Sequence, residues 1–185
     1  MSSKTRKLSI VGARGVGKST LVVQYVDNYF VESYYPTIQN QFTKFVKFRN
    51  NTYEVEILDT AGQDEFTIVQ SGPIVHGYIL VFSLNSRSSF DLMPIIRDKI
   101  LDSTGKDDIP MVLVGNKLDL ERKVSKEEGL ALAKEFGNIP YVEVSAKLSG
   151  NTGEENTDIN KIFLKLLEQI EGEKFDAQKE GCSVM

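Results

Sequence analysis

The segment GARGVGKS, from Gly12 to Ser19, carries residue types that suit the binding of a phosphate group. It has the pattern Gly, four residues, Gly, Lys, then Ser or Thr, and it follows an apolar run, Leu8 to Val11, that predicts a strand. Glycines let the backbone wrap around an anion, and the start of a following helix adds a positive dipole end. We expect Lys18 to reach the outer phosphates and the Ser19 hydroxyl to bind Mg²⁺. An ordinary Gly-rich turn is the alternative, and the strand before it and the helix after it argue against that alternative.

Two further loops contain residues that could read a base. NKLD, Asn116 to Asp119, ends the fifth apolar run, and SAK, Ser145 to Lys147, follows the sixth. Asp119 can accept hydrogen bonds from the ring N–H and the amino group of guanine, whereas adenine presents an acceptor and would leave the carboxylate unpaired. NKLD alone reads equally well as a solvated turn, but SAK at the same sheet edge favours base recognition. Phe30, just after the first predicted helix, is either an edge contact to the base ring or a core residue.

The order of apolar runs predicts an α/β fold. Six runs have strand character: Leu8 to Val11, Phe42 to Phe48, Tyr53 to Leu58, Tyr78 to Phe82, Met111 to Val114 and Tyr141 to Val144. Segments with helical spacing lie between most of them, and the clearest extends from Ile159 to Ile170. Asn50-Asn51 suits a tight turn, so we expect the second and third strands to pair antiparallel. Alternation elsewhere implies a six-stranded, mostly parallel sheet with one antiparallel strand and helices on both faces.

Composition excludes several classes of protein. With 185 residues, of which 41% are hydrophobic, the chain fits one globular domain over residues 1–170, and the polar segment 171–185 is expected to be a flexible tail. A net charge of -4 argues against a general nucleic-acid surface. The sequence has no apolar run long enough to span a bilayer and no signal-peptide core. Its single cysteine, Cys182, cannot form an internal disulfide, which indicates a reducing compartment such as the cytosol.

Five motifs occur in a fixed order: GARGVGKS, YYPTI at Tyr34 to Ile38, DTAGQ at Asp59 to Gln63, NKLD and SAK. In this combination the chain resembles the Ras superfamily of small GTPases across residues 7–170. Three details are similar to the Rheb branch of that superfamily: Arg14 in the phosphate loop, uncharged Gln39 and Asn40 in the effector segment, and the closing residues Cys182-Ser183-Val184-Met185. The resemblance implies a P-loop NTPase fold, a small G domain. It also implies a monomeric switch that binds GTP or GDP with Mg²⁺ and hydrolyses GTP slowly.

The resemblance also assigns roles to individual residues. Nucleotide contacts are implied for Arg14, Gly15, Val16, Gly17, Lys18, Ser19, Thr20, Phe30, Val31, Tyr34, Thr37, Gly62, Asn116, Lys117, Asp119, Ser145, Ala146 and Lys147. Ser19 and Thr37 are the implied metal ligands, and Asp59 would hold the metal through water. The implied catalytic residues are Gln63, which orients the attacking water, together with Lys18, Thr37 and Gly62 at the terminal phosphate. Loss of that phosphate would release both switch loops, a change that effector proteins can sense.

Several positions depart from the family pattern. Tyr35 stands in place of the usual Asp, Gly15 in place of a small polar residue, and the second switch after DTAGQDEF is shorter than usual. Arg14 puts a bulky cation beside the phosphate loop, which predicts slow intrinsic hydrolysis that depends on an activating protein. A solvent-facing Arg14 with no kinetic effect is the alternative. Tyr34 either covers the phosphates or is an exposed ring.

Two other functions compete with the GTPase switch. The first is a GTP-binding scaffold with little or no hydrolysis, in which Arg14 and the short second switch have removed catalysis. The second is a P-loop metabolic kinase, and this class lacks NKLD and SAK and needs a lid over an acceptor substrate, for which the sequence offers no segment.

The closing residues, Cys182 to Met185, fit a prenylation signal, and the terminal Met favours a farnesyl group. From Glu171 onward acids outnumber lysines, and no second cysteine is available for palmitate. Because one lipid chain gives only reversible membrane binding, we expect the protein in the cytosol and on the cytoplasmic face of internal membranes. The resemblance implies two partners, a TOR-type effector kinase complex and a tuberin-type GTPase-activating protein.

Overall fold

The computed structural model describes residues 3–30, 37–62, 74–147 and 157–179, with side chains as far as residue 172 in the last segment. The strands of this part of the chain are β1 (Lys4–Gly12), β2 (Gln39–Phe48), β3 (Asn51–Thr60), β4 (Gly77–Ser83), β5 (Met111–Asn116) and β6 (Tyr141–Glu143). The helices are α1 (Lys18–Asp27), α2 (Arg87–Asp91), α3 (Met93–Thr104), α4 (Lys126–Glu135) and α5 (Thr157–Lys179). Each predicted strand is confirmed, and most extend a few residues beyond the apolar run that predicted them. None of the helices in the described ranges combines the length and the apolarity needed to cross a bilayer.

The strands form one six-stranded sheet in the order β2-β3-β1-β4-β5-β6. Strands β2 and β3 pair antiparallel, and every other pairing is parallel. This confirms the predicted fold class. The carboxyl ends of β1, β4, β5 and β6 therefore lie at one edge of the sheet, and the loops that leave them converge there.

Alternating side chains of the central strands divide the core into two layers. In β4, Ile79 and Val81 pack in one buried cluster, while Leu80 and Phe82 pack in the other. The first cluster includes residues of α1 and α5, and the second includes residues of α2, α3 and α4. Because both faces are covered, the central strands are apolar at successive positions rather than at every second one. The sheet is thus held rigidly between two helical layers.

The hairpin between β2 and β3 differs slightly from its prediction. The turn residues are Arg49 and Asn50, with φ of 46° and 64°, and Asn51 already pairs with Phe48 as the first residue of β3. Two successive left-handed residues are typical of the tight turn whose twist matches that of the flanking strands. The Asn-Asn pair marked the correct place, but the turn begins one residue earlier.

Helix α5 is longer than the sequence predicts. It continues past Ile170 to Lys179, so residues 171–179 are helical rather than part of an irregular tail. Within α5, Glu171 is buried and accepts hydrogen bonds from Arg6 Nε at 2.5 Å and from the Tyr53 hydroxyl at 3.1 Å. Glu171 is thus packed against the domain, and the division into a domain over residues 1–170 and a flexible tail over 171–185 stays a prediction. Burial alone would raise the pKa of Glu171, but the hydrogen bond and the charge of Arg6 outweigh it and lower that pKa below its usual 4.5.

We predict that Glu171→Gln destabilises the fold by about 2 kcal/mol at neutral pH, because it leaves the Arg6 guanidinium buried without a counter-charge. A carboxyl whose pKa is lowered by folding contributes stability above its ordinary pKa of 4.5 and loses that contribution as the pH falls through the lower, folded pKa. The difference in unfolding free energy between wild type and variant should thus be constant near neutrality and shrink in acid. Urea unfolding across pH measures it. Glu168→Gln, an exposed change in the same helix, is the control, and a difference undiminished in acid would contradict the assignment.

Candidate functional site

The loop between β1 and α1 has the backbone shape that its glycines allow. Gly15 and Gly17 have φ of 76° and 98°, values that other residues rarely adopt, and Gly17 caps α1, which begins at Lys18. A side chain at Gly17 would also collide with another loop, since its Cβ would lie 2.3 Å from Asn116 Nδ2. The loop is therefore held open at the N-terminal end of a helix, where the helix dipole favours an anion.

Lys18 folds back over this loop. Its ammonium donates to the backbone carbonyls of Gly12 at 3.0 Å and Ala13 at 2.9 Å, and the residue is buried. Burial lowers the pKa of Lys18 to about 8, while the nearby charge of Asp59 acts in the opposite direction. A buried cation whose charge is disfavoured by its surroundings is well suited to pair with an anionic ligand.

Residues of the NKLD loop are bonded directly to the phosphate loop. The buried Asn116 donates from Nδ2 to the carbonyl of Val16 at 2.9 Å, and its Oδ1 accepts from the backbone N–H of Ala146 at 3.4 Å. Lys117, which has a φ of 64°, donates from Nζ to the carbonyl of Gly15 at 2.6 Å. The structure thus brings three of the five sequence motifs together at the edge where the parallel strands end.

Asp119 lies in an exposed part of the same loop and is held by the SAK loop. The Ser145 hydroxyl donates to Asp119 Oδ1 at 2.5 Å, and the backbone N–H of Leu118 donates to the carbonyl of Val144 at 3.1 Å. Among the described residues, the structure gives no contact for the second carboxylate oxygen of Asp119.

A residue that sequence reasoning missed supports the SAK loop from below, because the buried Gln24 of α1 donates to the carbonyl of Ala146 at 3.1 Å. Nothing in the local sequence around Gln24 signals that contact.

Three oxygen-bearing side chains meet beside Lys18. The hydroxyls of Ser19 and Thr37 lie 2.7 Å apart, although they come from α1 and from the segment before β2. Asp59, near the end of β3, is fully buried, and within the described residues neither carboxylate oxygen has a hydrogen-bond partner. Burial raises the pKa of Asp59, while the Ser19 hydroxyl, which lies near the carboxylate without the geometry of a hydrogen bond, and the Lys18 charge oppose the shift. An unpaired buried carboxylate beside two hydroxyls is a set of hard oxygen donors.

The remaining predicted residues of the described part are Gly62, Arg14, Thr20, Phe30 and Lys147. Gly62 packs so closely against the phosphate loop that a Cβ there would come within 2.4 Å of the Arg14 Cα, and Arg14 itself is exposed. Thr20 lies in the first turn of α1. Phe30 is half-buried and packs against the core, and Lys147 is exposed.

Four predicted residues lie outside the described residues: Val31 and Tyr34 of the first switch, Gln63 of the second switch, and Cys182. The roles assigned to them stay predictions.

Comparison with known proteins agrees with this geometry. A sequence profile described as the Ras family matches residues 7–172. The GTP-binding protein rhb1 of Schizosaccharomyces pombe is 46% identical over 172 residues, which cover 91% of this chain and 89% of that protein. The Drosophila melanogaster GTP-binding protein Rheb homolog is 46% identical over 189 aligned positions, covering 100% of both chains. The human GTP-binding protein Rheb is 45% identical over 191 positions, covering 99% of this chain and 98% of that protein.

The family match extends over nearly the whole sheet and both base loops, and the relatives match the chain almost end to end. The chain therefore belongs to the Ras family, as a Rheb-like small GTPase that binds guanine nucleotides and hydrolyses GTP.

Proposed function

We propose that GTP and GDP bind along the carboxyl edge of the sheet, with the phosphates on loop 12–19 and the base between loops 116–119 and 145–147. The observation that carries this proposal is the pair of hydrogen bonds from Asn116 and Lys117 to the carbonyls of the phosphate loop, because they join two halves of one pocket. Asp119, tied to Ser145, accepts hydrogen bonds from the ring N–H and amino group of guanine. Phe30 and Lys147 flank the base.

The phosphates bind at the start of α1. Lys18 exchanges its carbonyl acceptors on Gly12 and Ala13 for phosphate oxygens, a pairing that relieves the cost of burying its charge. Positive φ at Gly15 and Gly17 keeps the backbone wrapped around the same anion.

The residues beside the phosphates fit a magnesium ion. Ser19 and Thr37 supply hydroxyl ligands, and the buried, unpaired Asp59 supplies a carboxylate that acts through water. Mg²⁺ bound there would neutralise charge on the outer phosphates. Because Thr37 belongs to the first switch and Gly62 to the second, both segments contact the neighbourhood of the terminal phosphate and lose a partner when GTP is hydrolysed.

Hydrolysis is proposed to be slow without an activating protein. Gln63 orients the attacking water, while the close packing of Gly62 on Arg14 leaves little room for adjustment around the terminal phosphate.

We expect stripped and refilled protein to bind GTP and GDP in the presence of excess ATP. Asp119→Ala should weaken guanine-nucleotide binding by about 100-fold or more, because it removes two hydrogen bonds to a charged group that are each worth about 1.5–3 kcal/mol. Competition of ATP and GTP against a fluorescent GDP measures this. Glu121→Ala, an exposed acid in the same loop, is the control and should bind like wild type. Equal, weak uptake of ATP and GTP by the wild-type protein would contradict the proposed pocket.

A second expectation concerns catalysis. In single-turnover assays with GTP, Gln63→Leu should slow phosphate release about tenfold, because the attacking water loses its orienting group. Arg14→Gly should release phosphate faster than wild type. Rates of both variants equal to that of wild type would show that neither residue shapes intrinsic hydrolysis, and no release from any of them would favour the scaffold.

An effector and an activating protein are proposed as partners from the resemblance to the Rheb branch. The switch segments, in their GTP-bound state, are proposed to bind a TOR-type kinase complex, and a tuberin-type activating protein is proposed to complete hydrolysis. What supports both is similarity to proteins named Rheb across organisms as distant as Drosophila melanogaster and Homo sapiens.

The segment from Cys182 to Met185 is proposed to receive a farnesyl group and to hold the protein reversibly on the cytoplasmic face of internal membranes. Fractionation of cells that express wild type or Cys182→Ser tests this. We expect the variant to leave the membrane fraction almost completely, since one lipid is the proposed anchor. Ser183→Ala, which keeps the cysteine, is the control, and equal membrane fractions of wild type and Cys182→Ser would refute the lipid anchor.

A further inference from the structure

A polar network lies directly beneath the two base loops and takes no part in the site described above. Arg122 follows Asp119 along the chain, and Glu143 precedes Ser145. The Arg122 guanidinium donates from Nη1 to Glu143 Oε1 and from Nη2 to Oε2, both at 2.8 Å. This bidentate pair joins the segment after the NKLD loop to β6, the strand that precedes the SAK loop.

The carboxylate of Glu143 is fixed from a second direction. Its Oε1 also accepts from the Tyr141 hydroxyl at 2.7 Å, and its side chain is only 12% exposed. The hydrogen bond from Arg122 is the main cause that lowers the pKa of Glu143, so the carboxylate is ionised at neutral pH. Arg122 in turn donates from Nη1 to the carbonyl of Val124 at 3.1 Å, which orients the guanidinium on its own segment.

The Tyr141 ring packs closely against two glycines. A Cβ at Gly129 of α4 would lie 2.2 Å from the ring Cζ, and a Cβ at Gly115 of β5 would lie 3.0 Å from the hydroxyl. The ring therefore occupies the space between helix and sheet that side chains at these glycines would need, and from there its hydroxyl donates to Glu143.

The segment just after Arg122 is also anchored by its backbone, because the N–H groups of Lys123 and Val124 donate to the carbonyl of Leu84 at 2.8 and 3.2 Å. The part of the loop that carries Asp119 lies beyond these two bonds. Residues 118–123 are exposed, and Asp119 is tied to the SAK loop by the Ser145 hydroxyl and the neighbouring Leu118 backbone bond. Guanine discrimination needs Asp119 to face both the ring N–H and the amino group, and a small displacement loses one of the two bonds.

We propose that Arg122, Glu143 and Tyr141 are positioning residues for guanine recognition, which hold the Asp119 loop in register with the SAK loop and so set how slowly the bound nucleotide is released. The proposal rests on the proposed role of Asp119 as the base-reading carboxylate. None of the three residues contacts the nucleotide. Their effect is on the geometry of the residues that do.

The test compares two nucleotides that differ only at the base. Inosine diphosphate lacks the amino group of guanine and keeps the ring N–H, so the ratio of IDP to GDP dissociation rates measures how well Asp119 is aimed. Stopped-flow release of fluorescent GDP and IDP is measured for wild type, Glu143→Gln, Tyr141→Phe and Arg122→Lys. Arg87→Gln is the matched control, because the Arg87–Glu128 pair also holds α4 and does not join the base loops.

We expect Glu143→Gln to release GDP about 2- to 5-fold faster than wild type, a change that corresponds to the loss of a charged pair near the surface. IDP release should change less, so the IDP to GDP ratio falls. Arg122→Lys keeps the positive charge but cannot form the bidentate pair, so its GDP release rate should lie between those of wild type and Glu143→Gln. The GDP release rate of Arg87→Gln should match that of wild type.

The possible results distinguish a failure of the positioning role from a failure of the proposed role of Asp119. Faster release of GDP and IDP by the same factor in Glu143→Gln, together with a lower melting temperature, would show a general structural role and overturn the proposal. Unchanged GDP release in Glu143→Gln and Tyr141→Phe would overturn it as well. A wild-type protein that releases IDP no faster than GDP would instead contradict the proposed role of Asp119, whatever the variants do.

Discussion

The hydrogen bonds that link Asn116 and Lys117 to the carbonyls of the phosphate loop are the contacts on which the site depends. The two loops are about a hundred residues apart in sequence and leave different strands, β1 and β5, between which β4 lies in the sheet. Rigid burial of the sheet on both faces fixes how far apart the strand ends are. The side-chain amide and ammonium then cover the remaining distance and join the phosphate loop to the proposed base loop.

The same edge of the sheet also positions two buried ionisable side chains of the site. Lys18 and Asp59 are buried next to each other beneath the loop, and each has a pKa displaced by burial toward its neutral form. Their mutual attraction only partly offsets the loss of water. A bound polyanion with a divalent cation would satisfy both groups at once, which is why these two residues are found together inside the sheet edge rather than on the surface.

Local sequence predicted most of the architecture, because strands buried on both faces are continuous apolar runs and the motifs carry their own loop geometry. The six-stranded, mostly parallel sheet, the antiparallel hairpin and the meeting of the phosphate and base loops were all expected on that basis, whereas the order of the strands in the sheet was not predicted. Contacts between side chains that are far apart in the sequence were not expected. Glu171 looks like the start of a polar tail until Arg6, at the other end of the chain, is known to lie beside it, and Gln24 looks like an ordinary helix residue until Ala146 is placed above it. Such partners are set by the tertiary fold, so no window of sequence contains them.

The buried carboxylate of Asp59, which has no hydrogen-bond partner among the described residues, links ligand binding to stability. A fold that buries a carboxylate without a hydrogen bond is least stable when nothing fills its cleft, and any ligand that binds only the folded form raises its stability by mass action. The stability of this fold would therefore depend on the concentration of whatever ligand satisfies Asp59.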